Sequence, residues 1–350
     1  MIFKETKQKG VASTIKYLNS LQVDSLKGVR NLELQNFSVV NLLTGPNGSG
    51  KSTILDAIEL ITNPSEPLQY VKTARNASNL FWNLFDKGEV RPRIRVSGQI
   101  LEKSYYTELV SYENESETTF LGYHYFGIPV NGVLTNHTNH VELPLTQLQT
   151  DIISSPFVMT ERIVNDSNDI SFEKIAKDKT VKEKILSFLS LFDHRFSDIY
   201  SPDFKNTYLY HETYGKLEEG FFSAGIRKVL KIVATMSTMR GGILLIDDFE
   251  CHLSPQTIYE SISLLYSLAK EKQIQLFITT HSQELIDEWL DLCNFYNELS
   301  YLKIIRLQSN GTTSSFTDFT GKEAYELRME KELDFRYEYS KKGESYERIF

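Results

Sequence analysis

The sequence predicts an α/β fold in which a mainly parallel sheet is covered by helices on both faces. Three observations indicate this fold. Apolar, strand-like runs alternate with segments of helical spacing, a glycine-rich loop joins one such run to a helix, and a pair of acidic residues ends another run. Strands that alternate with helices favour a parallel sheet, because each crossover connection lays a helix on one face.

The elements of this core can be assigned in chain order. Residues 32–37 alternate between apolar and polar, and Val39–Leu43 is a short apolar run; both patterns are typical of strands. A helix is predicted over residues 53–61. The remaining predictions are helices over 179–192 and 223–238, a strand over 242–247, a helix after Pro255, a strand over 274–279 and a helix over 284–292.

The N-terminal segment and a central segment differ from this core. Ile15, Leu18, Leu21 and Val23 have a spacing that favours a short amphipathic helix, packed on the main domain. Residues 91–128 alternate in the manner of a β-rich meander.

Composition and charge restrict the class of protein. The 350 residues are 41% hydrophobic and 24% charged, which is ordinary for a globular protein, and the net charge of −8 leaves room only for a local basic patch. Two cysteines, Cys251 and Cys293, are too few for a disulfide scaffold. The start lacks the apolar core of a signal peptide, and no apolar run approaches the roughly 20 residues of a membrane span. We therefore expect a cytoplasmic protein with no membrane partner.

The glycine-rich loop predicts a site for ATP and Mg²⁺. It reads Gly45-Pro46-Asn47-Gly48-Ser49-Gly50-Lys51-Ser52 and continues into Thr53 at the start of a helix. In this pattern, glycines let backbone N–H groups turn toward phosphate oxygens, and the helix N-terminus adds its dipole. Lys51 is expected to reach the β- and γ-phosphates and Ser52 to bind Mg²⁺. A chance glycine-rich turn is the alternative, but eight residues in register make it improbable.

The acidic pair that follows residues 243–246 predicts the rest of the metal and water site. Asp247 lies at the end of a buried strand, where Mg²⁺ needs a carboxylate, and Asp248 is placed to orient the attacking water. Acids are also common at strand ends for structural reasons. The preceding phosphate-binding loop is what favours the functional interpretation.

A histidine ends the next predicted strand. In Ile278-Thr279-Thr280-His281-Ser282, His281 could donate a hydrogen bond to the γ-phosphate and so detect its presence. A lone histidine is more often structural. Its place at a strand end makes the two interpretations about equal.

In this order, the three motifs resemble the ABC-type ATPase heads of the RecF, SMC and OLD (overcoming lysogenization defect) group. Within it, the chain is similar to short AAA family ATPases, many of which occur in bacterial anti-phage defence systems. The resemblance covers residues 29–62 and 215–295. It implies a P-loop NTPase fold of the ABC type, with an N-terminal β-rich subdomain and an inserted helical lobe.

The resemblance also implies roles for the residues after the acidic pair. The family usually reads Glu-x-Glu-x-x-Leu-His-Pro, and the matching segment here is Asp248-Phe249-Glu250-Cys251-His252-Leu253-Ser254-Pro255. Ser254 replaces the histidine, and Asp248 replaces the catalytic glutamate. Because aspartate is one methylene shorter, we expect slow hydrolysis.

A signature segment of the family contacts the γ-phosphate of ATP held by a second subunit. The matching segment is Phe221-Phe222-Ser223-Ala224-Gly225-Ile226-Arg227-Lys228, in which Ser223 and Gly225 agree with the family. The resemblance therefore implies a homodimer, or a higher homo-oligomer, with ATP between subunits. It also implies a glutamine near Mg²⁺, for which both Gln147 and Gln149 are candidates.

These inferences predict one ATPase domain and its flanks. We expect an N-terminal extension over 1–28, the ABC-type domain over 29–328 with its β-meander and helical lobe inserted at 63–222, and a charged C-terminal tail over 329–350. Too few residues follow His281 for a nuclease domain such as OLD-family nucleases carry. A destructive activity is thus expected on a separate effector protein.

Three functions fit a stand-alone head of this kind. The first is an ATP-driven sensor or scaffold in anti-phage defence, and the second is a DNA repair or maintenance ATPase of RecF type. A transporter's nucleotide-binding subunit is the least favoured. DNA is a further partner to consider because Arg91, Arg93 and Arg95 would form a basic stripe along one side of a strand. A charged edge strand that discourages aggregation is the favoured interpretation of these arginines.

Overall fold

The computed structural model describes residues 15–62, 93–101, 103–113, 118–125, 128–135, 141–142, 160–163, 179–200, 208–218, 222–309 and 314–337. The strands of this described part form three sheets. The central sheet carries the predicted motifs.

The central sheet has six strands in the order β16-β15-β3-β14-β13-β9. Their bounds are β3 (Val40–Thr44), β9 (Thr160–Ile163), β13 (Gly242–Ile246), β14 (Ile274–Thr279), β15 (Leu302–Ser309) and β16 (Ser314–Thr320). The five strands from β15 to β9 are parallel, and β16 is antiparallel to β15. The predicted α/β fold with a mainly parallel sheet is therefore confirmed.

Strand register brings the ends of three strands to one edge of this sheet. Thr279 of β14 lies opposite Leu43 of β3, and Ile278 lies opposite Ile246 of β13. Because these strands run in the same direction, the loops that follow them begin side by side. This edge is where a doubly covered parallel sheet places its ligand site.

Alternate residues of the sheet pack into two different hydrophobic clusters. Leu42 and Ile278 face one cluster, the helix-side cluster, to which α2 (Lys179–Ser190), α3 (Ala224–Thr238), α4 (Pro255–Lys272) and α5 (Gln283–Phe295) contribute. Leu43 and Phe277 face the other cluster, to which α1 (Lys51–Thr62) and the strands β1 (Leu18–Leu26) and β2 (Val29–Gln35) of a second sheet contribute. Burial on both faces explains why the central strands are apolar without alternation.

The second sheet is antiparallel and has the order β2-β1-β4-β5-β6-β7-β8. Its strands are β1 (Leu18–Leu26), β2 (Val29–Gln35), β4 (Arg93–Ile100), β5 (Lys103–Glu113), β6 (Thr118–Tyr125), β7 (Ile128–Thr135) and β8 (Val141–Glu142). Strands β4 to β6 coincide with the predicted β-rich meander. A third, smaller sheet contains β10 (Phe196–Tyr200), β11 (Tyr208–His211) and β12 (Gly215–Glu218).

The predicted N-terminal helix is wrong, because Leu18, Leu21 and Val23 belong to strand β1. The pairing of β1 with β4 shifts register between Leu18 and Ser20 and again between Val23 and Ser25. Each such bulge adds a residue, so the buried positions are three apart where a regular strand would have two. This spacing imitates helical periodicity. Strand β1 also pairs with β2, so the boundary expected at residue 28 crosses a β-hairpin.

The C-terminal segment packs on the core where a tail was expected to begin. Helix α6 (Gly321–Lys331) carries a capping box in which Thr320 and Glu323 satisfy each other's backbone N–H groups. After it, Leu333 and Phe335 are both 1% exposed and belong to the helix-side cluster. The segment as far as Phe335 is therefore part of the fold.

Two further observations concern the expected cellular context. In the described part of the chain, none of the helices combines the length and apolar character needed to cross a bilayer. Neither Cys251 nor Cys293 forms a disulfide bond in the described part of the chain.

Candidate nucleotide-binding site

The loop between β3 and α1 has a backbone that only glycine can adopt at several positions. Gly45, Gly48 and Gly50 have φ angles of 131°, 77° and 99°. A Cβ on Gly45 would lie 2.2 Å from the Leu307 carbonyl oxygen, and one on Gly50 would lie 2.6 Å from Val29 Cγ2. The loop is thus shaped by close approach to β15 and to the β1–β2 hairpin, and it leads directly into the N-terminus of α1.

Lys51 lies at the start of α1 and its side chain turns back across the loop. The Nζ atom donates hydrogen bonds of 2.9 Å to the carbonyl oxygens of Gly45 and Pro46. Burial lowers the pKa of Lys51, while the neighbouring carboxylates of Asp248, Asp247 and Glu250 raise it. The ammonium group therefore bonds to the first residues of the loop and lies near the carboxylates that follow β13.

Ser52 and Asp247 meet beside the loop. Ser52 Oγ donates a hydrogen bond of 3.0 Å to Asp247 Oδ1, and Thr279 Oγ1 donates one of 2.7 Å to the same oxygen. Two hydroxyl groups from different elements therefore fix the orientation of this carboxylate. A hydroxyl and a carboxylate oxygen at this separation are the donor set that Mg²⁺ takes in P-loop enzymes.

Asp248 follows with a left-handed backbone. Its φ is 46°, a conformation that aspartate tolerates better than most residues. Its backbone N–H donates a 2.7 Å hydrogen bond to Thr279 Oγ1. The same threonine thus holds both acids of the pair.

His281 lies just beyond the end of β14. Its backbone N–H donates a hydrogen bond to Glu250 Oε1, which connects the loop after β14 to the loop after β13. Helix α5 begins two residues later, where Ser282 Oγ accepts a 3.1 Å hydrogen bond from Leu285 N–H.

Several of these residues line one open cleft of about 290 Å³, whereas Gly45, Pro46 and Asp247 are not among its lining residues. Lys51, Asp248 and His281, which are predicted to act on the phosphates and the attacking water, all line it. The other lining residues are Gly28, Val29, Asn47, Gly48, Ser49, Gly50, Ser52, Thr53 and Ser309. The structure therefore brings together residues from three loops and adds the β1–β2 turn and the end of β15 to the wall.

Arg162 is a member of this site that the sequence does not reveal. It lies on β9, next to β13, and its Nη2 donates a 3.2 Å hydrogen bond to Asp247 Oδ2. Its Nη1 donates to Asp56 Oδ1 on α1. Strand β9 has four residues and no pattern that separates it from its surroundings, so no sequence signal points to this arginine.

Ser223 and Gly225 of the signature segment do not line this cleft. Ser223 is exposed and caps α3 by accepting a 3.4 Å hydrogen bond from Ile226 N–H. Gly225 lies against the loop after the acidic pair, since a Cβ there would be 2.2 Å from the His252 carbonyl oxygen. Within one chain, the signature segment therefore packs against the loop from Asp247 to His252, and Ser223 and Gly225 are not among the residues that line the cleft.

The other predicted residues either lie outside the described part of the chain or belong to the second sheet. Gln147, Gln149 and Arg91 lie outside the described residues. The edge-strand interpretation of the arginines is wrong, because β4, which carries Arg93 and Arg95, lies between β1 and β5. Arg95 instead forms a 3.4 Å ion pair with Asp24 of β1.

Comparison with known families agrees with this geometry. Residues 143–287 match the family described as "AAA domain, putative AbiEii toxin, Type IV TA system", and residues 18–77 match the "P-loop containing region of AAA domain". Together these matches cover both the phosphate-binding loop and the acidic strand end.

Two curated proteins and one solved structure are similar to this chain. An ATP/GTP phosphatase of Helicobacter pylori is 21% identical, with 77% of this chain and 86% of that protein aligned. Septu protein PtuA of Bacillus mycoides is 23% identical over 76% of this chain, which corresponds to 38% of that longer protein. The Smc head domain of Pyrococcus furiosus, solved with the C-terminal domain of ScpA, has a TM-score of 0.58 and 12% identity, and the match covers 91% of this chain and 100% of that one.

The fold, the loop geometry and the family matches lead to the same assignment. The central sheet has the arrangement of an SMC head, and the loop, the acidic pair and the histidine occupy its ligand edge. The chain matches AAA-type P-loop ATPase families over residues 18–77 and 143–287 and has the fold of an SMC head, and it is therefore an ATPase.

Proposed function

We propose that this protein is an ATP-dependent molecular switch in anti-phage defence. It binds ATP with Mg²⁺, pairs with a second copy around the nucleotide and hydrolyses ATP slowly. The paired form holds a separate effector protein in the cytoplasm, and hydrolysis releases it.

The observation that carries this proposal is the convergence of Lys51, Asp248 and His281 on one cleft. Lys51 neutralises charge on the β- and γ-phosphates, Asp248 orients the water that attacks the γ-phosphorus, and His281 contacts the γ-phosphate. Each comes from a different loop at the same sheet edge. A nucleotide bound there would touch all three loops and would thereby link its own state to their positions.

The residues of the loop fit a triphosphate. Ser49 Oγ is buried and has no hydrogen-bond partner among the described residues. A buried hydroxyl without a partner is costly, and a phosphate oxygen would satisfy it. Lys51 now bonds to two loop carbonyls, and these weaker partners can be exchanged for phosphate.

The same site fits Mg²⁺. Ser52 Oγ and Asp247 Oδ1 are hard oxygen donors held 3.0 Å apart, and they would hold the ion. Bound there, the ion would neutralise charge that develops on the phosphates. Arg162 already binds the other Asp247 oxygen, so the carboxylate keeps a fixed direction in both states.

Slow hydrolysis follows from the length of Asp248. Aspartate places its carboxylate one methylene closer to the backbone than the glutamate of similar ATPases. The left-handed backbone of Asp248 directs the side chain toward the cleft, but does not supply the missing length. A long-lived ATP state suits a switch better than a motor.

Pairing of two copies is supported by the place of the signature segment. Ser223 is exposed at the N-terminus of α3, a helix of 15 residues, whose partial positive charge favours a phosphate. Because Ser223 lies outside its own cleft, the nucleotide that it contacts belongs to a second copy. The pair would then contain two ATP molecules and two signature segments.

An effector on a separate chain is supported by the similar proteins. The likeness to Septu protein PtuA suggests anti-phage defence, and a solved Smc head carries part of another protein, ScpA. Both are properties of those proteins. They support a head whose nucleotide state is read by a bound partner.

A DNA repair ATPase of RecF type is the second candidate. Arg95 of β4 has a side chain that is 46% exposed, so it can reach a phosphate backbone. Its neighbour Asp24 weakens that attraction, which places this function second. DNA-stimulated ATP turnover would favour it.

Light scattering tests the switch directly. We expect Asp248→Asn to double in mass when ATP and Mg²⁺ are added, because it binds ATP and hydrolyses it much more slowly than the wild type. Lys51→Ala should remain at its initial mass under the same conditions. If Asp248→Asn binds ATP with no change in mass, pairing around the nucleotide is wrong, although ATPase activity would stand.

A further inference from the structure

We infer that Lys228 is a positioning residue for hydrolysis, which holds the backbone of the acidic pair and connects the signature helix α3 to Asp248. Lys228 lies on α3, one turn after Gly225. Its Nζ donates hydrogen bonds to the carbonyl oxygens of Asp247, at 3.4 Å, and of Asp248. This inference rests on the proposed role of Asp248 in orienting water.

The chemistry of Lys228 argues for a function beyond packing. Its side chain is only 8% exposed, and burial lowers its pKa. Burying an ammonium group is costly, and an apolar side chain of similar length would fill the same space at lower cost. The described hydrogen bonds of this ammonium go to main-chain carbonyls. What it fixes is therefore the course of the backbone through Asp247 and Asp248.

The backbone at Asp248 has to be stabilised by contacts with other elements. Asp248 has a φ of 46°, a left-handed conformation that costs free energy even for aspartate, although less than for most residues, and that persists where the surroundings impose it. Thr279 Oγ1 accepts a hydrogen bond from Asp248 N–H on one side of the peptide chain. Lys228 holds the Asp248 carbonyl from the other side. Together they determine where the Asp248 carboxylate points.

Gly225 extends the contact between α3 and this loop. Its missing side chain allows the first turn of α3 to approach the His252 carbonyl oxygen, which a Cβ would meet at 2.2 Å. The loop from Asp247 to His252 is thus held by α3 at two points one helical turn apart. A shift of α3, when Ser223 meets the nucleotide of a second copy, would move Asp248 in its own cleft. Each copy's hydrolysis would then respond to the occupancy of the other.

Substitution of Lys228 tests the inference. We expect Lys228→Met to lower kcat by about 10- to 100-fold, since misplacement of a reacting group by roughly 1 Å costs that much. The dissociation constant for ATP and Mg²⁺ should stay within about twofold, because Lys228 does not line the cleft. Lys228→Arg should recover part of the rate. The matched control is Lys231→Met, which removes the same charge one turn further along α3 and should leave kcat unchanged.

A double-mutant cycle separates this inference from the proposed function. If Lys228 acts through Asp248, adding Lys228→Met to Asp248→Asn should cause little further loss. Equal, multiplicative losses in both backgrounds would overturn the inference while leaving the role of Asp248 in place. If Asp248→Asn alone has normal turnover, the proposed role of Asp248 fails first.

Thermal unfolding and Lys228→Gln guard against a simple folding defect. Lys228→Gln removes the charge but keeps a donor, and it should be folded, bind ATP and turn over slowly. If the lost turnover of Lys228→Met and Lys228→Gln equals their unfolded fraction, Lys228 is only structural and the inference is wrong. Wild-type kcat in either folded variant would also overturn it.

Discussion

Ser52 and Asp247 are 195 positions apart in the sequence, and a 3.0 Å hydrogen bond joins their side chains. The parallel register of β3, β14 and β13 makes this contact, because it aligns the loops that follow these strands. Thr279 of the intervening strand binds the same carboxylate oxygen. The proposed metal site is therefore a consequence of sheet topology rather than of any local segment.

Removing the Asp247 charge should weaken Mg²⁺ binding more than ATP binding. We expect Asp247→Asn to need about 10- to 100-fold more Mg²⁺ for half-maximal turnover, because an amide is a weaker ligand for a hard cation. Titration of phosphate release against Mg²⁺ at saturating ATP measures this. Asp24→Asn, on β1 and outside the cleft, is the control and should have the wild-type requirement. An unchanged requirement in Asp247→Asn would exclude Asp247 as a ligand.

Removing the Lys51 side chain should strongly weaken nucleotide binding. We expect Lys51→Ala to bind ATP about 100-fold more weakly, since it loses charge-assisted hydrogen bonds to two phosphates. Equilibrium binding of a fluorescent ATP analogue measures the change. Lys322→Ala is a suitable control because that side chain is 76% exposed and its partner is Glu326 of the same helix. If Lys51→Ala binds ATP with wild-type affinity, the proposal that this loop binds the phosphates of ATP is wrong.

Asp248 can be tested by removing its charge and by extending its reach. We expect Asp248→Asn to bind ATP normally and to turn over about 100-fold or more slowly, since general-base assistance contributes at least that much. Asp248→Glu should be faster than the wild type, because the added methylene brings the carboxylate closer to the water. Single-turnover phosphate release measures all three. A rate for Asp248→Asn equal to the wild type would show that another group orients the water.

The sequence predicts correctly those elements whose residue pattern is compatible with a single local structure. The loop from Gly45 to Ser52 and the apolar strands before it and before Asp247 are continuous, and the structure has them as expected. The sequence does not predict strand β15, because Lys303 and Arg306 interrupt its apolar run. Lys303 is nevertheless buried, and its Nζ donates a 2.6 Å hydrogen bond to the Gln35 carbonyl oxygen. The sequence alone does not show that a lysine such as Lys303 is buried, because the carbonyl oxygen that accepts its hydrogen bond comes from a distant segment.

Within the site, the residues that sequence reasoning misses are those that act through tertiary contacts. Arg162 comes from a four-residue strand, and its partners Asp56 and Asp247 are 106 and 85 positions away. In the sequence, Lys228 only ends the signature segment, whereas in the structure its Nζ donates to the carbonyl oxygens of Asp247 and Asp248. Neither belongs to a local pattern. A motif such as the glycine-rich loop can be recognised in the sequence because its residues all lie in one short segment.

The two cysteines should differ sharply in reactivity. Cys293 is buried in the helix-side cluster, and burial raises its pKa to about 12. At pH 8 its thiolate fraction is therefore very small, and reaction with iodoacetamide should be slow. Cys251 is partly exposed and should react first. Mass spectrometry of the native protein should show one label per chain at Cys251, and two after denaturation; rapid native labelling at Cys293 would contradict the described packing.

Gly225 should matter for the fold of one chain as well as for any pair. In Gly225→Ala, the added methyl would lie 2.2 Å from the His252 carbonyl oxygen, so α3 or the acidic loop must move. We expect a loss of about 1 to 3 kcal/mol in the free energy of unfolding, as for other overpacked sites, and slower turnover because Asp248 lies on the displaced loop. Urea unfolding and single-turnover kinetics measure the two effects. Gly28→Ala is the stability control, since a Cβ there has nothing within 4 Å. If Gly225→Ala keeps full stability but cannot pair in ATP, the glycine serves the second copy alone, and the contact with His252 does not control the acidic loop.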